Sequence, residues 1–249
     1  MTSISTNVTV RQATPDDAGR LIGVLAESFF HDPVAHWLIS DHDDRRFVSY
    51  RYFTHVVGHS LQYGHVETTS DGFGAAIWYA RPAPSPRIAA DRHVGVQEAT
   101  GAYAPKFLLL ETMFESHHPP EAHHYLAYAA VSPEHQGRGT GTALLSNHHQ
   151  QIDPLGLPAY LEATSPRNRD LCLRLGYLPG PSMVLPDGGP KIWRMWRAPL
   201  GSTIPTGFFT PHLPLTGEPN EHKGGHAGPA GNPLTSHTPR GCSEPPSSR

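Results

Sequence analysis

The sequence predicts one α/β domain, a mixed and twisted sheet flanked by helices, followed by a disordered C-terminal tail. Three observations carry this expectation. Strand-like and helix-like stretches alternate from residue 8 to about residue 198. Two strand-like runs, 65–69 and 74–79, flank a turn at Asp71-Gly72, so part of the sheet is antiparallel. Composition then changes near residue 200. The last 49 positions hold nine prolines, eight glycines and eleven Ser or Thr, with only nine apolar residues. Such a stretch buries too little apolar surface to offset its chain entropy. The expected division is a flexible start (1–7), one domain (8–200) and a tail (201–249).

The elements follow in order. Residues 8–13 alternate as a first strand. Thr14-Pro15-Asp16-Asp17 reads as a helix start, with a capping Thr, a proline at the first position and acids in the first turn. Ala18, Leu21, Ile22, Leu25 and Phe29 then recur at helical spacing. A second helical region covers 33–63, broken near residues 41–44 and ended by Gly64. After the hairpin comes a proline-rich loop, then a broken helical stretch over 88–116. Residues 125–131 form a buried strand and 132–136 a loop. Residues 142–147 form a helix, 158–163 a strand and 167–175 a short helix ended by Gly176. Tyr177-Leu178 opens a short strand, and 191–197 closes the domain as another.

Composition excludes several functions. The net charge is −3 and the tail's charges cancel, so no basic field exists to hold nucleic acid. No apolar run reaches about 18 residues, and no basic cluster suits a membrane surface. The first residues lack the features of a signal peptide, and Cys172 and Cys242 form no disulfide framework. The expected location is the cytoplasm. Eighteen histidines are unusual. His117-His118, His123-His124 and His148-His149 invite a metal site. Two prolines interrupt the spacing, however, and adjacent histidines point different ways. The expectation is a polar loop, the exposed face of a helix, and no metal.

The segment Gln136-Gly137-Arg138-Gly139-Thr140-Gly141-Thr142 lies between a buried strand and a helix. Unpaired N–H groups and the helix dipole favour an anion there, and glycines let a phosphate approach the backbone. Arg138 adds charge and Thr142 a hydroxyl. A P-loop is ruled out because its Lys-Ser/Thr ending is missing. A dinucleotide fingerprint is partly mimicked, with Glu162 in the place of a ribose-binding acid. Five polar residues nevertheless separate the strand from the first glycine, and only one clear β-α-β unit is present.

At these residues the chain resembles the GNAT (Gcn5-related) N-acetyltransferases. Their acetyl-CoA motif, Gln/Arg-x-x-Gly-x-Gly/Ala, is matched by Gln136, Gly139 and Gly141. The stretches 130–136, 161–168, 175–177 and 189–197 are similar to the family's neighbouring motifs, and 10–17 to its usual opening. The resemblance spans about residues 8–198, and its wording is closest to puromycin N-acetyltransferase-like members.

The resemblance implies a splayed central strand pair with pantetheine in the gap. The backbone of Ala129, Ala130 and Val131 would pair with pantetheine, the N–H groups from Arg138 to Thr142 would hold pyrophosphate, and Asn168 would bond the arm. It also implies acetyl transfer from acetyl-CoA to a small-molecule amine by direct attack, with an N–H near Val131 at the oxyanion. Glu162 is the first candidate base, with Tyr128 and Glu111 behind it. Where the family often carries a tyrosine acid, this chain has Cys172. Either Cys172 protonates the leaving thiolate, or Tyr177 or water does, or the protein binds acyl-CoA and turns over slowly. The expectation is slowed but real catalysis. Phe29, Asp32 and Trp37 are the candidate acceptor wall, with Trp193 and Trp196 weaker. The amine and the oligomeric state are left open.

Overall fold

The computed structural model describes residues 8–83 and 90–202. The expected flexible start and disordered tail lie outside these residues, apart from 201–202. The breaks expected in the two helical regions are present, the first at residues 39–41 and the second at 101–103. The helical region 33–63 divides into α2 (Pro33–Leu38) and α3 (His42–Tyr63), and 88–116 into α4 (Ala90–Thr100) and α5 (Ala104–Ser116). Local chemistry sets these limits. Asp32 caps α2 by accepting from Val34 N, and Pro33 follows at the first position. Asp41 caps α3 by accepting from Asp43 N and Asp44 N. The first strand, β1 (Val10–Gln12), leads through a 3-10 turn at Pro15–Asp17 into α1 (Ala18–Phe29). Asp17 fastens that corner, accepting from Thr14 N and pairing with Arg11 at 2.7 Å.

The remaining elements are β2 (His65–Thr69), β3 (Gly74–Arg81), β4 (His123–Val131), α6 (Thr140–Ile152), β5 (Ala159–Ala163), α7 (Pro166–Arg174), β6 (Leu178–Pro179), β7 (Met183–Val184) and β8 (Lys191–Arg197). The sheet runs β1-β2-β3-β4-β5-β8-β6, with β7 added beside β8. Every described pairing is antiparallel except β4 with β5. A dinucleotide fold needs several parallel β-α-β units, so the sheet removes that reading.

The alternation of β3 shows how the layers form. Ala75 and Ile77 join a core with α1, α2 and α3, while Ala76 and Trp78 join a second core with α6, β5 and β8. Side chains on a strand point to opposite faces in turn, so a strand covered on both sides is apolar throughout.

β4 breaks that alternation. Its register against β3 shifts between Ile77 and Trp78, leaving Ala127 without a Cα partner. This is a β-bulge, which bends a strand and re-aims the side chains after it. Leu126 therefore packs with the α6 core, while Tyr128 and Ala130 pack with the α1 and α3 core.

The histidines depart from expectation. His123 and His124 begin β4 rather than sitting in a loop, and His148 and His149 are 2% and 4% exposed. α6 runs to Ile152, further than the sequence suggested, because these two rings pack inward. No helix among the described residues is long and apolar enough to cross a membrane.

Candidate functional site

β4 and β5 are the centre of the site. They pair at His124 with Ala159 and at Tyr125 with Tyr160, and no further. Beyond Tyr125 the bulged strand stays with β3 and leaves β5. Ala129, Ala130 and Val131 thus keep their partners on β3 and have none on β5. The gap opens into a cavity of about 570 Å³.

The glycine turn closes one end of this cavity. Gly137 and Gly139 have φ of +76° and +86°, a region that favours glycine, and open space lies where a Cβ would be. Gly139 caps α6 with no side-chain hydrogen bond to its first turn. The N–H groups of that turn and the helix dipole therefore face an uncluttered surface. Gly137, Gly139, Thr140, Gly141 and Thr142 line the cavity. Arg138 is exposed and stands off the wall. Gln136 braces the turn, donating from Nε2 to Val131 O at 3.0 Å and accepting from Arg167 Nη1 at 2.8 Å. Ser28 Oγ also donates to Val131 O. Asn168 also lines the cavity, on α7 one turn after its cap Ser165.

Glu162 follows directly on the point where the strands part, and it lines the cavity. Its Oε1 is buried without a hydrogen-bond partner. Burial pushes its carboxyl up to about 7, while the phenols of Tyr160 and Tyr125, then Arg194, oppose the rise. A carboxyl poised near neutrality beside a cavity suits proton transfer.

Tyr128 also faces the cavity, its hydroxyl 2.7 Å from that of Tyr52. Phe29 meets the Tyr128 ring edge-on at 6.0 Å. Asp32 lies on the same wall; its Oδ2 accepts from Thr164 Oγ1 at 2.6 Å, and burial raises its pKa. Thus Asp32 both caps α2 and ties the start of that helix to the end of β5.

Other residues are placed differently. Trp37 is not on the cavity wall. It is 8% exposed, and its Nε1 donates to Pro186 O at 2.8 Å, which turns the indole toward the loop between β7 and β8. Trp193 and Trp196 also lie off the wall. Cys172 touches the cavity but is 4% exposed, and burial pushes its thiol up to about 12. Tyr177 is fully buried against His149, with 2.9 Å between its hydroxyl and Nε2, and does not reach the cavity. Glu111 lines the cavity, as do Phe107 and Phe114.

Sequence reasoning missed Tyr52, Tyr125, Ser28 and Thr164. Tyr52 sits mid-helix with nothing local to distinguish it, and Tyr125 reads as an ordinary strand residue. Only the bulge and the splay give them a place at the site.

No protein-family model matches the chain. Solved structures do. A protein from Corynebacterium glutamicum described as histone acetyltransferase HPA2 and related acetyltransferase aligns with a TM-score of 0.58 and 26% identity, over 80% of this chain and 98% of that one. A mosquito arylalkylamine N-acetyltransferase (like 5b) aligns at 0.54 and 16% identity, over 77% of this chain and 100% of that one. An agmatine N-acetyltransferase aligns at 0.53 and 15% identity, over 77% and 99%. The open mixed sheet with its flanking helices is the fold of the GNAT acetyltransferases.

Proposed function

We propose that the chain is a GNAT-family N-acetyltransferase that moves an acetyl group from acetyl-CoA to the amine of a small molecule. The splay of β4 from β5 carries this reading, because it leaves a strand edge open inside a cavity that ends at an uncapped, glycine-lined helix start. The residues present suit acetyl-CoA. Ala129 to Val131 offer the backbone edge for a pantetheine arm. The N–H groups from Arg138 to Thr142 suit pyrophosphate, and Asn168 suits the arm's amides.

Glu162 is the proposed base. Its carboxylate takes a proton from the incoming ammonium, directly or through a water, since an alkyl ammonium has no lone pair for attack. A backbone N–H near Val131 faces the oxyanion as it develops. Tyr128 and Phe29 form an aromatic wall for the acceptor, with Asp32 beside them. The arylalkylamine and agmatine acceptors named for two of the similar structures agree with an amine acceptor without choosing one. The puromycin-like wording remains a proposal about substrate, tested with that amine among others.

Direct binding and turnover test the reading together. Acetyl-CoA should raise the melting temperature and NADH should not. Thiol release with a panel of aryl, alkyl and polycationic amines should then show amine-dependent turnover. Stabilisation by NADH alone would falsify the reading. Acetyl-CoA binding without turnover on any amine would leave an acyl-CoA-binding protein, a reading that the weakly acidic Cys172 favours.

A further inference from the structure

A second polar cluster lies outside the cavity. His65 and Glu67 of β2 and His148 of α6 each present one donor atom, and the three atoms lie within 4.8 Å of one another. Glu67 and His148 have side chains 1% and 2% exposed, whereas His65 is 34% exposed and opens the cluster to solvent.

The hydrogen bonding around Glu67 is lopsided. Its Oε1 accepts from Asn147 Nδ2 and Gln151 Nε2, both at 2.8 Å, and His65 Nε2 stands 3.4 Å away. Its Oε2 has no hydrogen-bond partner, and neither does His148 Nδ1. These two buried atoms face each other across 3.8 Å. That is too long for a hydrogen bond and about the gap that one ion, roughly 2 Å from each donor, would span. An unsatisfied buried carboxylate oxygen and an unsatisfied buried imidazole nitrogen are each costly, and two together call for a shared partner.

The surroundings resemble a support for metal ligands. His148 Nε2 is 2.9 Å from His124 Nδ1, and its ring stacks on Trp78 with centroids 4.0 Å apart. A ligating imidazole commonly has its other nitrogen hydrogen-bonded, and a ligating carboxylate has donors on its other oxygen. Among the described residues, Glu67 has ion-pair contacts only with His65 and His148. No arginine or lysine there balances its charge.

We infer that His65, Glu67 and His148 form a binding site for one divalent transition-metal ion, with zinc the best match. Two imidazoles, one carboxylate and a position open to water beside His65 suit zinc's four-coordinate preference, and an all-oxygen cation such as magnesium would be a poor match. The ion would clamp β2 to the middle of α6, two turns beyond the glycine turn. This site is independent of the proposed acetyl transfer.

The test uses the full chain stripped with a chelator, then titrated with zinc chloride by calorimetry and melting. The histidine-rich sequence can hold zinc loosely elsewhere, so variants decide the outcome. Wild type should take up one equivalent with a rise in melting temperature. His65→Ala, at a solvent-facing position, should weaken that equivalent at least tenfold while leaving the metal-free melting temperature nearly unchanged. Glu67→Gln should remove it. Cobalt(II) in place of zinc should give visible bands of four-coordinate intensity that both variants lose. Absence of a stoichiometric site in wild type would overturn the inference, as would binding that survives both substitutions.

Discussion

β4 has two halves that differ in one respect. Its first residues are hydrogen-bonded on both edges, to Trp78 through Arg81 of β3 and to Ala159 and Tyr160 of β5. From Tyr128 onward it is paired on the β3 side only. The closed half carries His123 and Tyr125 among packed rings. The open half carries Tyr128 to Val131 beside a large cavity. One strand therefore supplies stability at one end and a binding edge at the other. The bulge at Ala127 marks the change, and Glu162 sits across the boundary. Changes near the open half should alter binding and turnover. Changes in the closed half, apart from Tyr125, which lines the cavity beside Glu162, should alter folding alone.

The largest expected effect is on the boundary. Glu162→Gln keeps the shape and removes the proposed base. Turnover should fall by about 10²–10⁴, the usual worth of general base assistance, with acetyl-CoA affinity nearly unchanged. The sign of the pH dependence follows from the raised carboxyl. A base near pKa 7 is ionised above that value, so kcat/KM of the wild type should climb as pH rises through about 7. Steady-state rates from pH 5.5 to 8.5 check this. A variant that retains the same ascending limb would assign the proton transfer to another group.

Next comes the glycine turn. Gly139→Val forces a side chain into a left-handed conformation and projects it where nothing lies within 4 Å. Strain of about 1–2 kcal/mol should lower stability modestly. Acetyl-CoA affinity should fall much further, about 100-fold by calorimetry, because the added methyls occupy the anion's approach. A loss of stability with unchanged affinity would mean that the turn only redirects the chain.

These two sites were unequally legible. The glycine turn could be read from sequence because backbone geometry demands glycine at fixed positions, and the structure gives Gly137 and Gly139 the conformations that require it. Glu162 was legible as the end of a strand after the motif. The splay itself came through resemblance, since no local pattern shows where two strands part. Trp37 could not be judged, because an aromatic on a helix looks the same whether it faces a cavity or Pro186. His148 and His149, expected on an exposed face, are buried by neighbours remote in sequence, on β2, β3 and β4 and at Tyr177. Glu67 raised no signal at all, as its partners on α6 are 80 or more residues away.

The closed half gives a smaller effect of another kind. His123 is 2% exposed, and burial lowers its imidazole from 6.5 to about 4. The unfolded chain therefore binds a proton at this site before the folded one does. Its contribution is fully present above pH 6.5 and is lost as pH falls from 6.5 toward about 4. His123→Phe should keep the ring packing and make folding stability less sensitive to acid over that window, by up to about 2–3 kcal/mol as read by denaturant melts. Acetyl-CoA affinity at pH 8 should stay the same. A loss of affinity in that variant would break the division between the two halves of β4.

The smallest effect is expected at Cys172, which touches the cavity at the position where the resemblance to the GNAT proteins implies a tyrosine acid. An accessible thiol near its ordinary pKa could protonate a departing thiolate. This one belongs to the core formed by α6 with β5 and β8, and burial holds its pKa near 12. It therefore gives up a proton less readily than the CoA thiol it would serve. Cys172→Ala removes the acid and little volume. Turnover should change by less than about threefold, well below the 10²–10⁴ that general acid assistance is worth. Stability should fall by about 1 kcal/mol or less for the lost sulfur contacts. Single-turnover rates at saturating acetyl-CoA separate this from a binding effect. A fall of 100-fold with intact affinity would make Cys172 the acid despite its burial. Unchanged turnover would mean that the leaving thiolate departs unaided or takes its proton from water in the cavity, and that the open half of β4 carries its chemistry through Glu162 alone.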